Sequence, residues 1–171
     1  MERNLALNRL GDRVEAHCLG LSDQLSSLRF TVGLGCVNHV VTEGEEVASI
    51  DVPVTTLDSL VGADAPALIK IDVEGHERAV LRGATRTLAD PRLLAVIMET
   101  NGSGARYGIH DDELVGIMRD NGFSPYGYDP FARVLVNADG SGGNTIFVRD
   151  AEAVSRRVST TRQFRRVNGE I

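Results

Sequence analysis

The sequence predicts an α/β fold built on a doubly wound sheet, and three segments carry that expectation. Residues 67–73 are a continuous apolar run broken only by Lys70 and Asp72, the pattern of a parallel strand covered on both faces. From position 76 to 88 the apolar residues Val80, Leu81, Ala84 and Leu88 fall on one helical stripe. Residues 93–99 form a second buried strand, followed by an amphipathic helix marked by Leu114, Ile117 and Met118 and closed by Gly122. Strand, helix, strand, helix, strand is the order in which such sheets are wound.

The other elements follow along the chain. Residues 2–10 read as the end of a helix, with Leu5, Leu7 and Leu10 apolar and Gly11 suited to the left-handed position that closes helices. Residues 13–19 read as a strand leading into the turn-like Gly20-Leu21-Ser22-Asp23. Residues 27–32 and 47–54 carry β-branched side chains in partial alternation, which predicts two more strands with a hairpin as their simplest pairing. A loop with Gly33, Gly35 and Gly44 joins them, and residues 56–60 suit a short helical turn before Gly62. Late strands fall at 123–128, 133–136 and 145–149, the last two antiparallel around Asp139-Gly140. Beyond Asp150 the chain is rich in arginine (Arg156, Arg157, Arg162, Arg165, Arg166), with Val154, Val158, Phe164 and Val167 as scattered apolar anchors. That composition predicts a solvated helix, with a basic docking tail as the functional alternative.

Composition narrows the class. A chain of 171 residues with 42% hydrophobic and 25% charged residues fits one soluble domain able to bury a core. Its net charge of −6 supplies no general positive field, which argues against nucleic acid or a membrane surface as partner. Cys18 and Cys36 show neither metal-ligand spacing nor a disulfide framework. The apolar stretches are shorter than a membrane span, and Met1-Glu2-Arg3-Asn4 lacks the layout of a signal peptide, so the cytoplasm is the expected location.

The most informative stretch is Leu68-Ile69-Lys70-Ile71-Asp72-Val73-Glu74-Gly75-His76-Glu77, where an apolar strand ends in ionisable residues, a glycine and a new helix. Polar groups at the carboxyl end of a strand in an α/β fold sit where ligands bind. Asp72 and Glu74, two residues apart, share one face. Gly75 permits a tight turn or a close backbone approach, and Glu77 complements the dipole of the following helix. Lys70, the only lysine among 18 basic residues, must reach a carboxylate or water. From these residues alone three functions stand. The carboxylates with His76 could hold a divalent metal for hydrolysis. They could instead orient the ribose, amine or hydroxyl groups of a nucleoside cofactor and its acceptor. Or the site is vestigial, its acids only capping a helix and pairing with Lys70 or arginines. A phosphate-cradling loop is not supported, since neither GxxxxGK[ST] nor a strand followed by GxGxxG occurs.

Residues 68–84, LIKIDVEGHERAVLRGA, closely resemble the hallmark motif of FkbM-type methyltransferases, which use S-adenosylmethionine. Asn4-Leu5-Ala6-Leu7-Asn8 resembles the end of that family's second helix, and Leu21-Ser22-Asp23 the segment after its third strand. Val54-Thr55-Thr56-Leu57-Asp58 resembles the stretch before the motif strand, Ile97-Met98-Glu99 the strand after it, and Asn144-Thr145-Ile146-Phe147 the asparagine-led final strand. The resemblance covers roughly residues 2–149.

The resemblance implies an incomplete class I methyltransferase (Rossmann-like) three-layer sheet, missing its first two strands, over residues 1–149, with 150–171 as an arginine-rich C-terminal tail. It implies methyl transfer from S-adenosylmethionine, usually to a hydroxyl oxygen, here of a small-molecule or glycan acceptor. Carried over residue by residue, Asp72 matches the acidic position near donor and acceptor, and Glu74 and His76 line the same edge. Asp72, Glu74 and His76 are thus the candidate catalytic residues, Asp72 for orientation and His76 as the natural general base. Leu21, Ser22 and Asp23, with Asp72, are the candidate cofactor-binding residues, and no metal ligand is implied. The family's glycine-rich turn after the first strand, and the acidic residue ending its second, have no match here. The resemblance therefore does not by itself imply standalone catalysis. The leading expectation is the C-terminal portion of such a methyltransferase, in a truncated chain or with its site completed by a homo-oligomer or another segment; a non-catalytic remnant or interaction module comes second, and the metal-dependent hydrolase last. Tyr107, Tyr126 and Tyr128 stand as pocket walls or ordinary packing residues.

Overall fold

The computed structural model describes residues 2–140 and 142–162, together with the backbone of residues 165–166 and 169–170. Helix α1 (Glu2–Leu7) buries no residue, and Arg9, at φ 53°, takes the left-handed position expected of Gly11. The strand expected at 13–19 does not form. Only β1 (Gly20–Leu21) is drawn into a ladder, parallel to β3 (Ser49–Thr55) through Gly20↔Val54 and Leu21↔Thr55. Residues 13–19 have no ladder partner among the described residues, and strand propensity without one does not hold a strand. Strand β2 (Ser26–Thr31) pairs antiparallel with β3 as expected, giving a small sheet in the order β1-β3-β2.

The main sheet grows from the motif. Strands β4 (Leu68–Ile71) and β5 (Ala95–Thr100) are parallel, in register from Leu68↔Ala95 to Ile71↔Met98. Three late strands, β6 (Ser124–Asp129), β7 (Val134–Asn137) and β8 (Gly143–Val148), complete the order β4-β5-β8-β6-β7. Two expectations are corrected here. First, β4 is not covered on both faces: it is an edge strand, and Leu68 is 54% exposed. The register sets Ile69 and Ile71 beside Val96 and Met98 on the core face, while Leu68 and Lys70 lie on the opposite one. Second, β7 and β8 do not pair with each other. Strand β8 inserts between β5 and β6, and β7 pairs with β6 at the outer edge. The buried Phe147 and Val148 suit the central place, and the exposed Val134 and Val136 suit the edge.

The helix expected over 76–88 is split into α3 (Glu77–Arg82) and α4 (Thr85–Ala89). The cause is Asp58 on α2 (Leu57–Val61), a helix that starts at Thr56, whose hydroxyl accepts the Ser59 amide. The Asp58 amide takes the Gly83 carbonyl at 3.0 Å. Its carboxylate then accepts the Arg86 and Thr87 amides, each at 2.8 Å, and so caps α4 in place of a continuing helix. Gly83 lies against the loop after β1, where a Cβ would come 2.0 Å from the Ser22 carbonyl oxygen. The motif helix and the Ser22 loop are thus locked backbone to backbone.

Helix α5 (Asp111–Asp120) buries Leu114, Val115 and Met118, and with Val80, Leu81 and Phe147 they form the core on one face of the sheet. Each such side chain contributes about 1.5–3 kcal/mol on burial. Helix α6 (Ala151–Thr160) begins at Asp150, whose carboxylate accepts the Ala153 amide. Its half-buried Val154 and Val158 border an apolar hollow of about 300 Å³ on the other face, with Leu68, Tyr128 and Leu135. The expected tail helix is therefore docked on the sheet. Residues 165–166 pair antiparallel with 169–170; Phe164, Val167 and the side chains of Arg165 and Arg166 lie outside the described residues. Among the described residues no helix is long and apolar enough to cross a membrane.

Replacing Gly83 with alanine should lower the unfolding free energy by about 1–3 kcal/mol, because the new methyl meets backbone that cannot rotate away. Gly116, in the middle of α5 with open space around it, is the control. Gly116→Ala should stabilise by about 0.5–1 kcal/mol, and urea unfolding of the two variants checks both signs.

Candidate active site

The carboxyl ends of the parallel pair β4 and β5 bring three acids together. Asp72 and Glu74 follow β4, Glu99 is next to last in β5, and one oxygen of each lies within 4.8 Å of the others. Lys70 Nζ meets Asp72 Oδ2 at 2.8 Å. Both side chains are about half exposed, so the pair contributes little to stability. It does set the chain's only lysine against the acids.

A strained turn holds this arrangement. Glu74 adopts φ 50°, a left-handed conformation costing about 1 kcal/mol or more for a residue other than glycine. At Gly75 φ is 100°, and a Cβ there would stand 2.6 Å from the Ser103 carbonyl oxygen and 2.9 Å from the Tyr107 ring. The Gly75 amide donates to Glu77 Oε1 at 3.1 Å. Glu77 is only 1% exposed, so it lies beneath the turn as a buried carboxylate, a larger role than the dipole partner read from its position. Burial pushes its pKa up, backbone amides of Glu77, Gly75 and Val73 pull the other way, and the charge of Glu99 adds to the rise.

Above the turn opens a cleft of about 350 Å³. Gly20, Leu21 and Phe30 line it from the small sheet, Cys36 and Asn38 from the loop between β2 and β3, and Asp72, Val73, Glu74 and His76 from the motif. Of the residues singled out in the sequence, Leu21, Asp72, Glu74 and His76 therefore share one surface. Ser22 and Asp23 do not line it. Ser22 is buried, with Oγ 3.1 Å from His76 Nε2 and donating to Asp23 Oδ1 at 3.3 Å. With its proton committed to Asp23, Ser22 accepts from Nε2–H, which leaves Nδ1 as the proton-accepting nitrogen of His76. Asp23 lines a smaller hollow of about 190 Å³ behind His76, with Arg78, Arg82 and Tyr107. Burial holds the His76 pKa below its ordinary value, partly opposed by the charge of Asp23. The ring is neutral at pH 7 and packs edge-on to Tyr107, centroids 6.0 Å apart.

The acids that could hold a cation are Asp72, Glu74 and Glu99; His76 is not in that group. Asp72, Glu74 and His76, considered for hydrolysis, line one cleft, but among the described residues it is Glu99 and not His76 whose ligand atom joins those of Asp72 and Glu74. Glu99 escaped the sequence reading as a site residue, although Glu99-Thr100-Asn101-Gly102 ends its strand in polar residues and a glycine, as Asp72 to Gly75 do. Phe30, Cys36 and Asn38 carried no local signal, since a hairpin and its loop bring them in.

The fold is mixed α/β, with acids gathered at the carboxyl ends of its parallel strands. The family model described as the Methyltransferase FkbM domain matches residues 1–125 of the 171, and the chain belongs to this methyltransferase family. A search of curated proteins finds no significant match. Among solved structures the chain is similar to the crystal structure of methyltransferase FkbM from Methylobacillus flagellatus KT, at 17% identity and a TM-score of 0.47. The alignment covers 85% of this chain and 31% of that one, so the chain spans about a third of that protein's length.

Glu77 supplies a test of the turn. Its raised pKa means that the folded state holds a proton more tightly than the unfolded chain between pH 4.5 and the raised value. Stability in that window therefore falls as pH rises. Glu77→Gln keeps an acceptor for the Gly75 amide but cannot titrate. Urea unfolding should show the two proteins close in stability near pH 4, with the variant gaining on the native protein toward pH 7. A native protein that gains on the variant over this range would contradict the assignment.

Proposed function

We propose that this chain is the acceptor-side portion of an S-adenosylmethionine-dependent O-methyltransferase acting on a hydroxyl of a small molecule or glycan. The observation that carries the reading is the cleft that unites Leu21, Asp72, Glu74 and His76 at the strand ends of a chain from this family. In the same reading the five-stranded sheet is a partial class I methyltransferase sheet, incomplete at the free edge of β4.

The residues present fit the cofactor's chemistry. Asp72 and Glu74 are acids suited to a cationic group, and Leu21, Phe30 and Val73 offer apolar surface beside them. S-adenosylmethionine supplies, when bound, a methyl group on a sulfonium that an oxygen nucleophile can displace. Asp72 and Glu74 hold and orient hydroxyl groups in the cleft by accepting their hydrogen bonds, which favours near-attack geometry. His76, kept neutral by burial, takes the hydroxyl proton at Nδ1. Ser22 fixes the ring's tautomer and Asp23 orients Ser22, so both act behind the cleft, with Leu21 as the direct contact.

Titration calorimetry of the chain with S-adenosylmethionine tests the reading. Binding is expected, and Asp72→Asn should weaken it about tenfold through loss of a charged hydrogen-bond acceptor. The same substitution should change stability by no more than about 0.5 kcal/mol, since it removes only an exposed pair. No heat at millimolar cofactor would sink cofactor binding by this chain, and a destabilised variant with unchanged binding would reduce Asp72 to a structural residue.

A further inference from the structure

Tyr107 ends the 3₁₀ turn Ser103–Tyr107 that follows β5. This turn is firmly seated. The Ile109 amide donates to the Gly104 carbonyl at 3.0 Å, and the Gly102 amide donates to Asp111 Oδ2 at 3.1 Å. Gly104 is buried, and Ile109 belongs to the core of the main sheet. From that base the Tyr107 side chain touches two parts of the molecule. Its ring lies against Gly75, where a Cβ would stand 2.9 Å away, and edge-on to His76. Its hydroxyl donates to the Val40 carbonyl at 2.6 Å. Burial pushes the hydroxyl's pKa up to about 12, so it stays a donor throughout the neutral range.

Val40 belongs to the far side of the cleft. It is buried and forms an isolated antiparallel bridge with Phe30 of β2. On either side of it the Thr31 amide donates to the His39 carbonyl at 2.9 Å, and the Val41 amide to the Arg29 carbonyl at 2.8 Å. Phe30 lines the cleft, as does Asn38 two residues before Val40. Holding Val40 therefore holds the wall that Phe30 and Asn38 build.

We propose that Tyr107 is a positioning residue that fixes the small sheet against the motif turn, and so sets the separation of the two walls of the cleft. Among the described residues, two hydrogen bonds cross from β1–β3 and the loops between them to the body that carries the motif. One joins Ser22 to His76 just after β1, and the other joins Tyr107 to Val40. Held only beside Ser22, the small sheet can pivot on that contact. The second bond, on the loop between β2 and β3, removes that freedom. The inference rests on the methyltransferase reading only for what the cleft holds. A donor and an acceptor gripped from opposite walls keep their reacting distance only while the walls keep theirs.

Tyr107→Phe tests this, because it deletes the hydroxyl and leaves the ring on Gly75 and His76. Backbone residual dipolar couplings, measured by NMR without cofactor, read the relative orientation of the two sheets. In the native chain the couplings of β2 and β3 should fit the same alignment as those of β5 and β8. In Tyr107→Phe that common fit should be lost, while amide protection within the β2–β3 ladder and at Val96 and Phe147 is retained. Titration calorimetry should show S-adenosylmethionine bound about fivefold more weakly by the variant, through loss of one hydrogen bond's net contribution. A tyrosine that only packs would leave the common alignment and the affinity unchanged in Tyr107→Phe, and that result overturns the proposal. Separate alignments of the two sheets in the native chain overturn it as well, whatever the variant does. An absence of heat from the native chain would sink the cofactor reading instead, and the couplings would still decide the role of Tyr107.

Discussion

The carboxylate of Glu77, buried beneath the Val73–Gly75 backbone, is the constraint on which the site depends. A strand that ends in Asp72-Val73-Glu74 has no intrinsic reason to turn left-handed at a glutamate. The amides gathered on Glu77 give the turn a floor, and Ser103 and Tyr107 pressed on Gly75 give it a ceiling. Between the two the backbone is held so that Asp72 and Glu74 reach the same space as Glu99. An ionisable group in a dry position, costly on its own account, is what holds the three neighbouring acids toward one space.

A second set of contacts joins the turn to the rest of the molecule. Asp58 breaks the motif helix at Gly83, and the gap left by the missing side chain receives the Ser22 carbonyl. Ser22 then reaches back to His76 at the start of that same helix. The small sheet and the motif helix are thereby referenced to each other twice, once through backbone and once through a histidine. This explains why residues separated by more than fifty positions in the chain form one cleft with walls of different chemistry, acidic on the motif side and apolar on the small-sheet side.

How much of this was legible in the sequence follows from which interactions are local. The motif strand, its helix and the hairpin β2–β3 were readable because each rests on short-range periodicity. That Asp72, Glu74 and His76 lie close together was readable because they follow one strand end within five positions. The role of Glu77 was not, since a glutamate in the first turn of a helix looks the same whether it meets water or supports a backbone from below. The helix break was hidden because its cause, Asp58, lies 25 residues before Gly83, and the apolar stripe runs through it without interruption. The pairing of β8 with β5 and β6, in place of a β7–β8 hairpin, depends on competition for the sheet centre, which Phe147 and Val148 win. The exposure of Leu68 was equally invisible: an apolar strand at an edge and one in the middle of a sheet have the same letters.

That edge has a consequence of its own. Among the described residues β4 has a ladder partner on one side alone, so its other side offers amides and carbonyls next to an exposed leucine, a template onto which a second copy could lay its own strand. Lys70 is the one charged residue within that strand. In a stacked, in-register pairing of two such edges, ammonium would face ammonium, and the register that best aligned the apolar residues would be the one most strongly repelled. The lone lysine of the chain would carry that repulsion as well as its ion pair with Asp72, and acylating it would remove both at once.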